Sequence, residues 1–144
     1  MAQVNPYLCF NGNCQEAFNH YKSIFGGEFN FLGRFNDMPQ QERSAPIPEE
    51  LDNKIMHVSY NIGQTILMGS DANPAMGDVV FGQNVSLSVN AENRDEANKV
   101  FEGLADGAQI TMPLQDTFWG AYFGMCTDKF GMMWMVNFDQ PIDN

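Results

Sequence analysis

Few side chains in this 144-residue sequence suit acid–base or nucleophilic chemistry: two histidines, three cysteines, and the serines Ser86 and Ser88. His57 stands in Met56-His57-Val58-Ser59-Tyr60. Strand alternation puts His57, Ser59 and Asn61 on one face and Met56, Val58 and Tyr60 on the other. If the second set packs beneath a helix, His57 faces a cavity, where an imidazole could act as general base or hydrogen-bond donor. A histidine satisfied within the fold is the other reading of that position. His20, beside Asn19 on the outer side of a predicted helix, is given no role. Ser86 and Ser88 would line a cavity with Asn84, but no neighbouring base makes either a nucleophile. Cys9, Cys14 and Cys126 form no CxxC pair, and their odd number argues against a disulfide framework. There is no GxGxxG and no P-loop.

The elements that must position these groups are legible around Thr117–Phe138, two runs rich in aromatics and Met broken by Thr127-Asp128-Lys129-Phe130-Gly131. Asp and Gly suit a turn, and the flanks are short enough to be strands buried on both faces. This hairpin reads either as the wall of a cavity or as a plain buried hairpin. Earlier, Val4–Phe10 reads as a strand with Leu8 and Phe10 on one face and Asn5, Tyr7 and Cys9 on the other. A helix follows, with Asn13 as N-cap and Glu16 near a capping-box position. Ala17, Tyr21 and Ile24 form its apolar stripe, and Gly26-Gly27 ends it. Glu28–Phe35 is a second strand. Asp37–Asn53 reads as a long loop with one helical turn near Pro48–Leu51. Lys54–Ile62 and Thr65–Ser70 form a hairpin through Gly63-Gln64.

After the loop Asp71–Gly82 the pattern starts again. Gln83–Val89 repeats the first strand, Asn93 and Glu96 repeat Asn13 and Glu16, and Ala97, Phe101 and Leu104 repeat the helical stripe. Gly107 then repeats Gly27. Strands over Ala108–Leu114, Trp119–Thr127 and Met132–Asn137 complete a second copy. The chain is thus read as one domain, 1–144, of two βαβββ modules, 1–70 and 83–138. A single module could not bury its sheet face; a pair can.

Hydrophobic residues make up 44% of the chain, enough for a sizeable core, and no run of about 18 apolar residues could cross a membrane. No signal peptide is visible at the start, so a cytoplasmic location is expected. Eighteen acidic residues against seven basic give a formal net charge of −11, which would repel nucleic acid and anionic membrane surfaces.

The duplicated pattern, with Ala17, Tyr21 and Phe25-Gly26-Gly27 in one copy and Trp119-Gly120 and Asp128-x-Phe130-Gly131-x-x-Trp134 in the other, resembles the vicinal oxygen chelate superfamily. That superfamily holds glyoxalase I, extradiol dioxygenases and bleomycin- and fosfomycin-resistance proteins, and the chain is most similar to its PhnB-like branch. The resemblance implies an α+β fold, two βαβββ modules forming a half-open curved mixed sheet with helices on the convex side. It also implies a ligand, and in some members a divalent metal, in the hollow. Carried over by position, the metal-ligand places fall at Asn5, Asn84, Met68 and Met135, where relatives have His or Glu. Amide and thioether groups suit such ions poorly. Met132 also stands where many relatives carry His. Some relatives bear a demethylubiquinone methyltransferase name, but nothing here resembles a glycine-rich S-adenosylmethionine loop.

No cofactor and no metal are therefore expected. The first expectation is a small-molecule binding protein, acting as a homodimer as family members do. Asn5, Tyr7, Met68, Asn84, Ser86, Trp119, Tyr122 and Met135 would line a site for a small hydrophobic or aromatic ligand. The alternatives are a metal-dependent or divergent lyase, isomerase or dioxygenase-type enzyme with His57 as catalytic base, and a drug-sequestering resistance protein.

Overall fold

The structure, a computed structural model, describes residues 1–39 and 47–141. Residues 40–46 of the expected 37–53 loop lie outside the described residues, while its predicted helical turn is a 3-10 turn at Glu49–Leu51. The chain divides into two compact units, Met1–Val80 and Phe81–Asn144. The first unit runs β1 (Tyr7–Phe10), α1 (Cys14–Phe25), β2 (Phe29–Arg34), β3 (Ile55–Ile62) and β4 (Thr65–Asp71). The second runs β5 (Leu87–Asn90), α2 (Arg94–Leu104), β6 (Gln109–Asp116), β7 (Ala121–Thr127) and β8 (Met133–Asp139). Each unit has one mixed four-stranded sheet, ordered β1-β4-β3-β2 and β5-β8-β7-β6. In both, the first strand lies parallel to the last and the other pairs are antiparallel. The fold is α+β, and the repeat read from the sequence is real.

In the first unit one sheet face is filled by α1. Phe10, Val58, Tyr60 and Leu67 are buried with Phe18 and Tyr21 of the helix. The Phe18 ring stands edge-on to Phe10, Tyr21 and Phe29. Gly69 permits this approach: a Cβ there would come within 2.6 Å of the Phe18 ring and 2.9 Å of the Leu8 carbonyl oxygen. The Tyr60 hydroxyl donates to the Gly26 carbonyl just past the helix, and burial pushes its phenol upward in pKa.

The start of α1 is held differently from the capping box expected. Asn13 occupies the N-cap but its side chain makes no cap bond. Instead the Gly12 and Cys14 amides donate to Asp71 Oδ1 at 3.0 and 2.9 Å, and the Ile55 amide donates to Oδ2 at 2.9 Å. Asp71 is 3% exposed, a buried carboxylate fully engaged with backbone donors at a helix N-terminus, where negative charge is favoured. Cys14, beside it, is pushed upward in pKa by burial first and by Asp71 second.

In the second unit Ala97, Val100, Phe101 and Leu104 of α2 are buried along with Cys126, Trp134 and Val136 of the sheet. Here Asn93 does cap: its Oδ1 accepts from the Glu96 amide at 2.8 Å, while the Glu96 carboxylate reaches back to the Glu92 amide at 3.0 Å. The turn between β7 and β8 is organised by buried Asp128. Its Oδ1 accepts from the Phe130 and Met132 amides, and its Oδ2 from the Trp134 indole at 2.9 Å. Gly131 in that turn has φ +96°, and a Cβ would meet the Phe81 ring at 2.3 Å, so conformation and space both demand glycine.

Several predicted strands are shorter than read. The first begins at Tyr7 rather than Val4, because Pro6 has no amide to donate. Its ladder role is partly taken by the Asn5 side chain, which accepts from the Ile66 amide at 3.2 Å. The fifth begins at Leu87 rather than Gln83, because its parallel partner β8 starts only at Met133, opposite the position before Leu87. The seventh begins at Ala121: Thr117 and Ala121 close a tight turn through backbone and hydroxyl bonds, which leaves Trp119 at its tip.

Candidate functional site

Strand alternation decides what the helix-free face of each sheet presents. In the first unit Val58 and Tyr60 face the helix, so His57, Ser59 and Asn61 face away from it. Tyr7 and Cys9 of β1 share that side, since Leu8 and Phe10 are buried. Cross-strand register joins the set: Tyr7 lies opposite Met68, Met68 opposite Ser59, and Ser59 opposite Phe31. Gly33 lies opposite His57 and carries the Phe31 ring, whose atoms would come within 2.9 Å of any Cβ.

The result is a small cluster around the imidazole. The Tyr7 hydroxyl lies 3.4 Å from His57 Nδ1, and their rings are 5.7 Å apart. The Phe31 ring centroid is 6.0 Å from that of His57 on its other side. Tyr7 is 47% exposed and Phe31 52% exposed. Among the described residues His57 Nε2 has no hydrogen-bond partner and the ring forms no ion pair. Such a surface offers aromatic faces, a thioether, a serine hydroxyl and one imidazole edge. It can stack a flat molecule and bond one polar atom of it.

In the second unit Met125, Met135, Phe123 and Asn137 share the helix-free side of β7 and β8, with Ser88 opposite Met135. Ser86 precedes β5 and is half-buried. Trp119, 56% exposed at its turn, packs edge-on to Phe118 and Phe123 with centroids 5.0 and 6.1 Å away. Tyr122 does not join this group. It faces α2, where its hydroxyl donates to Asn98 Oδ1 at 2.5 Å and Arg94 covers its ring at 3.9 Å. Arg94 also forms a two-pronged pair with Asp116 at 2.9 and 3.0 Å, and that hydrogen bonding holds the Asp116 carboxyl below the usual range.

Of the residues expected to line a site, the structure brings Tyr7, His57 and Met68 together in the first unit. In the second, Met135 lies on the helix-free side with Trp119 touching Phe123 beside it, and Ser86 lies ahead of β5. Asn5 uses its carbonyl oxygen on the Ile66 amide and the Gln3 side chain. Asn84 is exposed ahead of β5. His20 is half-buried rather than outward, beside Tyr21. Sequence reading missed Phe31, because which β2 residue meets His57 depends on a register that no local signal fixes. It also missed the role of Asp71, placing that residue only at the start of a loop, whereas Asp128 organises the turn in which it was read. A cleft in the first unit, about 160 Å³, is lined by Gly12, Gln15, Glu16, Asn19, Asn53, Lys54, Ile55 and Asp71. Lys54 Nζ there donates to the Gly12 carbonyl at 2.9 Å.

Comparison with known proteins agrees with this architecture. The family model described as 3-demethylubiquinone-9 3-methyltransferase matches residues 2–137. Protein YjdN of Escherichia coli K12 is 34% identical over 139 residues, 93% of each chain. Among solved structures, protein PA1353 from Pseudomonas aeruginosa superposes with a TM-score of 0.83 at 40% identity, covering 98% of this chain and all of that one. A Bacillus cereus PhnB protein, described as a putative 3-demethylubiquinone-9 3-methyltransferase, gives 0.77 at 25% identity, covering 95% and 99%. A glyoxalase/bleomycin resistance protein/dioxygenase family enzyme from Burkholderia phytofirmans PsJN shares the fold, with a TM-score of 0.60 at 13% identity over 92% and 96%.

Proposed function

Because the chain belongs to the 3-demethylubiquinone-9 3-methyltransferase family, the PhnB-like branch of the glyoxalase/bleomycin resistance/dioxygenase superfamily, we propose that it binds a small, flat, mainly apolar molecule without a divalent metal. The observation that carries this reading is the exposed cluster of Tyr7, His57 and Phe31 beside Met68 on the helix-free face of the first sheet. Aromatic faces exposed around a single polar group are what a ligand-stacking surface requires.

The donor chemistry supports the metal-free half of the proposal. The four places where relatives hold an ion carry two amides, Asn5 and Asn84, and two thioethers, Met68 and Met135. Neither type offsets a divalent charge, and thioether sulfur is too soft for Mg²⁺ or Mn²⁺. Asn5 is moreover committed to a backbone amide. Among the described residues no three His, Cys, Asp or Glu side chains gather into a ligand set.

Thermal unfolding with 2-ethylnaphthalene, Mn²⁺ and Zn²⁺ in parallel tests the reading. A ligand at a hundredfold its dissociation constant adds about 2.7 kcal/mol, a readily measured rise in midpoint. The expected result is a rise with the hydrocarbon that is lost on Phe31→Ala, and none with either ion. A rise with an ion alone would refute the proposal.

A further inference from the structure

We infer that Tyr7 and His57 form a hydrogen-bond donor unit that selects, among flat ligands, those carrying a neutral carbonyl oxygen. The inference rests on the binding reading above and adds what the ligand must bear. The Tyr7 hydroxyl and His57 Nδ1 are 3.4 Å apart, the long end of hydrogen bonding. Neither group has another hydrogen-bond partner among the described residues. A neutral imidazole has one nitrogen that donates and one that accepts. A phenol donates well and accepts poorly, since its oxygen lone pair is shared with the ring, while an imidazole nitrogen lone pair is a strong acceptor. Tyr7 therefore donates to Nδ1, and the ring proton is left on Nε2.

That tautomer makes the imidazole edge a donor toward anything lying on this face. Phe31, seated over Gly33, and Tyr7 stand beside the ring, so a flat molecule laid on these exposed aromatic faces can meet Nε2–H. The matching group is an acceptor oxygen. The formal net charge of −11 and the lack of an ion pair to the cluster among the described residues disfavour a carboxylate, and the strong neutral acceptor that suits an N–H donor is a ketone, aldehyde or amide carbonyl. His57 is the specificity residue of this device and Tyr7 its positioning residue.

The test compares 2-acetylnaphthalene, 2-ethylnaphthalene and 2-naphthoate by calorimetry on the wild type, His57→Phe and Tyr7→Phe. The ketone is expected to bind the wild type roughly tenfold tighter than the hydrocarbon, as one added hydrogen bond of ordinary strength would give. His57→Phe should bind ketone and hydrocarbon equally, and an unchanged circular dichroism spectrum shows that the variant folds. Nitrogen-15 spectra of the imidazole, assigned by loss of the signal in His57→Phe, should show the Nε2-protonated form in wild type and a mixture in Tyr7→Phe. Equal affinity for ketone and hydrocarbon would leave the binding reading standing and overturn the donor inference. Tighter binding of naphthoate, or an Nδ1-protonated ring, would overturn it too. Failure of every probe to bind would sink the binding reading, and this inference with it.

Discussion

At the scale of single residues, the most consequential side chain outside the proposed site is Asp71. It receives three backbone donors from segments far apart in sequence. Replacing it by Ala strands those donors in a buried place, at about 1–3 kcal/mol each. Asp71→Ala should therefore lower the urea midpoint severely or prevent folding, whereas Ser59→Ala on the helix-free face should barely move it. Cysteine behaviour follows from burial in the same way. Cys9 is exposed, Cys14 and Cys126 buried. Iodoacetamide should label one thiol per native chain and three in denaturant, read by mass. Burial, aided by Asp128, pushes the Cys126 thiol up to about 11 from an ordinary 9.0. A folded-state value above the unfolded one means this stabilisation is complete below about pH 9 and lost as pH rises through about 11. Cys126→Ala should accordingly flatten the alkaline limb of the stability profile.

At the scale of elements, the two helices show how much of the repeat was legible. Asn13 with Glu16 and Asn93 with Glu96 look alike in sequence, and only the second pair caps as read. The first helix is capped by a carboxylate 57 positions from Cys14, a partner no local pattern reveals. Asn93→Ala should thus destabilise by about 1 kcal/mol, the usual worth of an N-cap bond, and Asn13→Ala by clearly less, as paired urea curves would show. Strand identities and the face assignment of His57 were readable because alternation is local. Strand starts were not, since Pro6 delays β1 to Tyr7 and the parallel partner β8 sets where β5 begins. Trp119 and Tyr122 escaped for related reasons: a Thr117 hydroxyl closes the turn around one, and Arg94 of α2 draws the other to the helix side.

At the scale of the whole molecule, charge is the dominant imbalance. Against 18 acidic and 7 basic residues, the described residues form only three salt bridges, Lys22–Glu28, Arg94–Asp116 and Lys129–Asp106. Like-charge repulsion should therefore outweigh attraction. Raising salt from about 0.01 M to about 0.15 M shortens the screening length from about 30 Å to about 8 Å. The thermal midpoint should climb over that range; a fall would mean the pairs matter more than the excess. The duplicated order of strands and helices was fully legible, because spacing repeats regardless of which side chains fill it. One consequence reaches past the protein itself. With β1 and β4 turning one side to α1 and the other away, tolerance to substitution should be written in parity. Saturating β1 and β4 would silence variants at Leu8, Phe10, Leu67 and Gly69 while sparing those at Tyr7, Cys9, Met68 and Ser70. A lineage could thus exchange its recognition chemistry letter by letter while its scaffold stays intact.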